Sequence, residues 1–389
     1  MSPPLPSPDT DALMHSNALR EYINSQIKQL GGSISFKQFM ELALYAPSLG
    51  YYSAGSHKLG AAGDFITAPE LSLLFGATLA QAITPILQTT SQANILEVGA
   101  GSGALAISIL QTLQQQQCHL EHYYILEVSA DLRERQRQVL EQAGLLDRVT
   151  WLEALPEEFI GVVLGNEVLD AMPVHLIEIT TSGVKERFVA EEGDGFVWQL
   201  QPVSDVRIAQ RVHEIERQLS IELPVGYVTE INLVAEDWLL ALSAACKQAF
   251  VILFDYGFPR HEYYHAQRQQ GTLMCHYRHH SHDDPFRYLG LQDITAHVDF
   301  TAMADAALAS DWAVAGYTTQ AHFLLGSGLM DLLQSDAVES TVEQLRLQQQ
   351  VKKLTLPHEM GELFKVIGLQ KNIDIELPGF LLHDMRDRL

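Results

Sequence analysis

The stretch "NILEVGAGSGALAISIL", Asn94 to Leu110, limits this chain to very few architectures. An apolar run ends in glycines at positions 99, 101 and 103, and a second apolar run with helical spacing follows. A strand that turns through glycines into a helix presents backbone N–H groups at the helix N-terminus, where a ligand can dock. Two ligands fit the spacing. Gly99-x-Gly101-x-x-Ala104 satisfies the dinucleotide fingerprint, whereas Glu97-x-Gly99-x-Gly101-x-Gly103 points to S-adenosylmethionine.

The flanking chain extends this turn into a sheet. "YYILEV" (123–128) reads as a second strand, "RVTWLEAL" (148–155) as a third, and "GVVLGNEVL" (161–169) starts as a fourth. "FVILFDYG" (250–257) is a fifth, and the helix "LRERQRQVLEQAG" sets Leu132, Gln136, Val139 and Leu140 along one side. Nearly continuous apolar strands separated by helices imply a parallel sheet covered on both faces. Between the fourth and fifth strands, residues 174–200 alternate apolar and polar around Ser182-Gly183 and Gly193-Asp194-Gly195, the pattern of antiparallel hairpins. Helices are expected near 204–220 and 232–247, and beyond 300 the chain reads as helix with one strand-like segment, "WAVAGY" (312–317).

At the N-terminus, residues 1–12 have the composition of a disordered segment. A helix follows with Leu19, Ile23, Ile27 and Leu30 on one face and Gly31-Gly32 as its stop. Ser35-x-x-Gln38 is a capping box that starts a second helix, which Pro47 ends. Residues 50–70 hold four glycines without a dominant period and read as a long functional loop. The expected division is a tail (1–15), N-terminal helices with a cofactor-covering loop (16–92) and a first core segment (93–173). An inserted antiparallel and helical substrate region (174–247), a second core segment (248–320) and a C-terminal helical region (321–389) complete it.

Charge narrows the partners. Lys and Arg number 25 against 48 Asp and Glu, a formal charge of −23 that repels phosphate backbones and anionic lipid. Neither nucleic acid nor membrane is expected as a partner; a basic peptide or protein is favoured, and a homodimer stays open. Cys118, Cys246 and Cys275 form no CxxC pair, which argues against a disulfide framework or structural zinc. "MSPPLPSPDTDALMHS" has no features of a signal or transit peptide, and no apolar run reaches membrane-span length. A cytoplasmic location is the expectation.

Three observations decide between the two ligands. Glu97, two residues before the first glycine, would oppose a pyrophosphate but not a ligand carrying an ammonium and a sulfonium. Glu127, the acid ending the second strand, can accept hydrogen bonds from both ribose hydroxyls, although a solvated strand end explains it nearly as well. The fourth strand ends in "NEVLDAMP", clustering Asn166, Glu167 and Asp170 where proton handling or a cationic substrate is better served than hydride transfer. S-adenosylmethionine is the better answer.

With these pieces placed, the chain resembles the MidA family of class I methyltransferases over about residues 34–330. The ordered motifs are "GYY", "GDFITAPELSLLFG" (63–76), "EVGAGSGAL" (97–105), "EVSADLRERQ" (127–136) and "NEVLDAMPV" (166–174). "DYG" (255–257), "GTLMCHY" (271–277) and "GLQDITAHVDFT" (290–301) continue the series. Ala100 and Ser102 stand where relatives often have Pro and Arg, and "NEVLDAMP" replaces "NEFFDALP"; both changes keep the polar positions. The resemblance implies an α/β fold, a doubly wound Rossmann-like methyltransferase sheet with N-terminal helices and an inserted, partly antiparallel substrate-recognition region. It also implies that Glu97, Gly99, Gly101, Ser102 and Gly103 hold the methionine part of the cofactor and Glu127 its ribose. Asp64, Phe65, Thr67 and Glu70 would close over it. The mitochondrial members, assembly factors for respiratory complex I, methylate an arginine of one of its subunits.

Methyl transfer is an in-line displacement, so alignment is the main task. A guanidinium acceptor stays protonated at neutral pH, and paired carboxylates can grip its fork and localise its charge. Glu167 and Asp170 are spaced to share one face of a helical turn, and Asn166 could bond the acceptor or the cofactor. For Asp170, complementing a helix dipole is an equal alternative. Tyr256, His297 and Asp299 are the candidate substrate contacts; for the last two a structural hydrogen-bonded pair stands beside the pocket role. "HYRHHSHDD" (276–284) reads as a solvated loop, with no paired ligand spacing for a metal. Small-molecule methylation, a non-catalytic methyltransferase-like chaperone and, more distantly, a dehydrogenase are the rival functions.

Overall fold

The computed structural model describes residues 5–54, 66–335 and 341–389, and the chain divides into two compact units. One comprises Ile66–Val168, Trp238–Gly257 and Phe300–Leu389; the other comprises Met1–Phe65, Leu169–Asp237 and Phe258–Asp299.

The first unit is built on seven strands, numbered here within it. They are β1 (Asn94–Val98), β2 (His122–Leu126), β3 (Val149–Leu152), β4 (Phe159–Asn166), β5 (Cys246–Phe258), β6 (Ala313–Thr319) and β7 (Phe364–Lys371). They lie in the order β6-β7-β5-β4-β1-β2-β3. The pairs β1–β2, β2–β3, β1–β4 and β4–β5 are parallel, and β7 runs antiparallel to both β5 and β6. The chain therefore winds outward from β1 through β3 and then crosses to the other side at β4. That reversal opens a crevice beyond the carboxyl end of β1, the position at which doubly wound sheets bind ligands. The strands are apolar because both faces are covered: Ile95, Val162, Leu164, Ile252 and Phe254 belong to one core with helices Leu73–Thr89 and Ala104–Gln115. Phe254 meets Phe75 and Phe323 edge-on, with ring centroids 5.1 and 5.3 Å away.

The second unit holds a sheet of Ser33–Ser35, Gly183–Glu192, His175–Thr180 and Val228–Ile231 in that order, with Gly195–Gln201 pairing beside Gly183–Glu192. The alternation around the two glycine turns thus becomes hairpins. Helix Phe36–Tyr45 starts at a capping box in which Ser35 Oγ accepts from the Gln38 backbone and the Gln38 side chain accepts from Ser35 N, an arrangement worth about 1 kcal/mol. Its Phe36 and Phe39 pack with Phe196, Trp198 and Phe286.

Four local expectations need correction. The first helix begins at Thr10, inside the segment expected to be disordered, because the Asp9 side chain caps it by accepting from Ala12 N. The third strand spans only Val149–Leu152. The region beyond 320 contains a second strand, β7, which the helical reading missed. Residues 276–284 form a hairpin, Met274–Tyr277 against His280–His282, with Arg278 and His279 taking left-handed turn conformations.

Candidate active site at the carboxyl edge of the sheet

All three glycines of the turn sit in left-handed backbone, with φ of 64° at Gly99, 52° at Gly101 and 83° at Gly103. A side chain there would strain each residue, and a Cβ on Gly99 would lie 2.9 Å from Val168 Cγ1. The Gly99 N–H continues the β1–β2 pairing by donating to Leu126 O at 2.9 Å, so the turn leaves the strand without slack. Gly103 then caps helix Ala104–Gln115 with no side-chain hydrogen bond. An uncapped helix start leaves backbone donors for a ligand carboxylate.

The two acids flanking the turn are enclosed. Glu97 is only 2% exposed and accepts a hydrogen bond from Tyr123 Oη at 2.7 Å. The expectation of an open, ionised strand-end carboxylate is therefore corrected: burial, with the charge of Glu127 adding, pushes its pKa up to about 7 against the opposing Tyr123 bond. Glu127 is 5% exposed; its Oε1 accepts from Ser129 N at 2.9 Å and its Oε2 from Gln136 Nε2 at 3.1 Å. Burial raises its pKa, while those bonds and Arg133 oppose the rise. The carboxylate keeps acceptor capacity for a hydroxyl donor. Two neighbouring buried carboxylates beside uncapped backbone donors suit a ligand with an ammonium, a sulfonium, a carboxylate and a ribose. They do not suit a pyrophosphate. S-adenosylmethionine fits these residues.

At the end of β4, Asn166 Nδ2 donates to Glu167 Oε1 at 3.1 Å. Asn166 Oδ1 is buried with no hydrogen-bond partner among the described residues, an acceptor suited to a ligand N–H. Glu167 adopts φ 54°, a left-handed conformation costly for a side chain with a Cβ. The expected helical turn over Glu167–Asp170 is absent. That left-handed backbone excludes Glu167 from a right-handed helical turn, and its N–H stays with β5 by donating to Phe254 O at 2.9 Å. Glu167 closes a segment of the sheet unit, whereas Asp170 belongs to the other unit, where its carbonyl accepts from Ala296 N.

The remaining candidates are dispersed. Asp64 and Phe65 lie outside the described residues. Thr67 and Glu70 form the start of helix Ala68–Leu71, with Glu70 Oε2 accepting from Thr67 N at 3.4 Å. Tyr256 packs on Phe364, with ring centroids 3.8 Å apart. In the other unit, His297 stacks on Phe258 and its backbone N–H donates to Thr272 Oγ1. Asp299 accepts from Arg260 Nε at 3.2 Å in a pair less than a tenth exposed. The sequence reading also missed Tyr123, Gln136 and Trp151, although a Gln within the apolar stripe of a helix was a visible oddity.

Comparison with known proteins agrees with the cofactor. A family of S-adenosyl-L-methionine-dependent methyltransferases matches residues 78–318. A crystal structure of a Burkholderia thailandensis protein bound to S-adenosyl-homocysteine is 44% identical, covering 99% of this chain and 100% of that one, with a TM-score of 0.94. A zebrafish (Danio rerio) protein named protein arginine methyltransferase NDUFAF7, mitochondrial, is 28% identical over 375 residues, 87% of this chain and 83% of that protein. Its human counterpart, with the same name, is 27% identical over 376 residues, 87% and 80% of the two chains.

Proposed function

The chain belongs to this family of S-adenosyl-L-methionine-dependent methyltransferases, the MidA family, and we propose that its methyl acceptor is an arginine side chain of a protein. The observation that carries the reading is the Asn166–Glu167 pair at the end of β4, a carboxylate oriented by its neighbour's amide and held in left-handed backbone. In this reading the glycine turn and Glu97 hold the methionine part, and Glu127 the ribose. Bound S-adenosylmethionine supplies the electrophilic methyl group. Glu167 grips the guanidinium, localises its charge away from the attacking nitrogen and favours loss of its proton. Asn166 Oδ1 accepts an N–H that no described residue donates. The relatives named protein arginine methyltransferases support the acceptor class, and the formal charge of −23 favours a basic partner.

The test is labelled methyl transfer into basic proteins, starting with the complex I subunit that the family resemblance implies. Mass spectrometry then locates the label. Label should appear on arginine, and Glu167→Gln should keep cofactor affinity while losing most transfer. Label on another residue type, or full activity in Glu167→Gln, would overturn the arginine mechanism and leave the methyltransferase assignment intact.

A further inference from the structure

Helix Ala130–Gln142 buries one polar side chain completely, Gln136, which has no exposed surface. Its amide is used at three points. Nε2 donates to Glu127 Oε2 at 3.1 Å and to the Gly101 carbonyl at 3.0 Å, and Oε1 accepts from Trp151 Nε1 at 2.8 Å. Both N–H hydrogens are thereby spent on two parts of the cofactor site that come from different loops: the second glycine of the turn after β1 and the acid that ends β2.

We propose that Gln136, set by Trp151, is a positioning residue for the cofactor, fixing the Glu127 carboxylate and the glycine turn relative to each other. This rests on the reading that Glu127 meets the ribose. Trp151 decides which way the amide faces. An indole N–H can only donate, so it must meet the amide oxygen, and that turns the NH2 group toward two acceptors. In the flipped amide, NH2 would face an N–H donor, and the oxygen would face a carboxylate and a carbonyl. Each link from Trp151 to Gln136 to Glu127 and Gly101 is therefore dictated by donor and acceptor chemistry.

A Gln that merely filled space would affect stability alone. A positioning Gln also affects how the cofactor site responds to pH. Burial raises the Glu127 pKa, and the Gln136 bond is among the contacts that oppose it, together with Ser129 N and the Arg133 charge. Glu97 on β1 is the other charged group facing it. Without the amide, Glu127 takes up a proton at higher pH and loses acceptor capacity for a hydroxyl.

The experiment is calorimetric binding of S-adenosylhomocysteine to the full chain between pH 6 and 8.5, for the parent, Gln136→Met, Trp151→Phe and Glu127→Gln. Gln136→Met should bind roughly tenfold more weakly at pH 8, the loss of one charge-assisted hydrogen bond, and weaker still at pH 6.5. Trp151→Phe leaves the helix intact and should show the same trend with smaller amplitude, so the test survives if Gln136→Met fails to fold. Turnover at saturating cofactor should stay within about twofold of the parent, because positioning acts on binding and not on the acceptor. If Glu127→Gln weakens binding while Gln136→Met and Trp151→Phe match the parent at every pH, the positioning role is wrong and the ribose reading stands. If Glu127→Gln also binds as the parent does, the ribose reading falls and the proposal falls with it.

Discussion

Replacing Glu97 by Gln should stabilise the cofactor-free protein at alkaline pH and destabilise it in acid. The buried Glu97 carboxyl has its pKa raised from 4.5 to about 7, by burial first and by the Glu127 charge, against the Tyr123 hydrogen bond. A raised carboxyl pKa means that the folded state holds the proton more tightly than the unfolded chain. Below 4.5 both states are protonated and the group contributes nothing; between 4.5 and 7 the unfolded chain ionises first and stability falls; above 7 the full penalty remains. At 1.36 kcal/mol per unit the penalty is about 3 kcal/mol. Gln keeps an oxygen for the Tyr123 hydroxyl, but its NH2 group adds a cost of about 1–2 kcal/mol at every pH. That cost cancels when two pH values are compared. Urea unfolding of parent and variant at pH 5 and pH 8.5, with equal m-values, should show the variant's relative stability rising by about 2–3 kcal/mol at the higher pH. S-adenosylhomocysteine binding should weaken in the same variant. An equal stability difference at both pH values, or one that grows toward acid, would refute the reasoning.

Two further outcomes test the strained backbone at the sheet edge. Glu167→Gly should relieve the left-handed conformation and raise unfolding stability by about 1 kcal/mol while methyl transfer falls sharply, as measured by thermal unfolding alongside label transfer. Gly99→Ala should cost about 2 kcal/mol in the urea assay, since its methyl group would sit 2.9 Å from Val168 Cγ1 at φ 64°; adding Val168→Ala should recover the steric part only.

The parallel half of the sheet was legible because β1, β4 and β5 are buried on both faces and, with β2, read as apolar runs between helices. The antiparallel strand β7 was not. "FKVIGLQK" carries two lysines and a glycine, and what makes it a strand is pairing with β5 and β6, more than a hundred and more than forty residues away in sequence. The helical reading of Glu167 and Asp170 failed because Glu167 takes left-handed backbone where it leaves the sheet. A spacing of three residues cannot reveal that the Phe254 carbonyl already holds the Glu167 N–H. The pairing of Asp299 with Arg260 was hidden likewise, because alternation along a short strand says which face a residue shares and not what fills that face.

The candidate site divides along the same line. Its glycines and acids were legible as types at fixed spacing, because left-handed backbone calls for glycine and a cationic ligand calls for carboxylates. Their burial was not legible, and burial is what changes the chemistry. An exposed Glu97 would be a plain counter-charge, but an enclosed one beside Glu127 is an acid poised near neutrality. Holding two such groups together destabilises the cofactor-free fold, and the surrounding side chains limit that cost: Tyr123 donates to Glu97, and Gln136, oriented by Trp151, donates to Glu127. A bound ammonium or sulfonium would offset the rest. The destabilisation of the empty site and its affinity for a cation thus have one cause, so variants that remove a carboxylate should move the two in opposite directions.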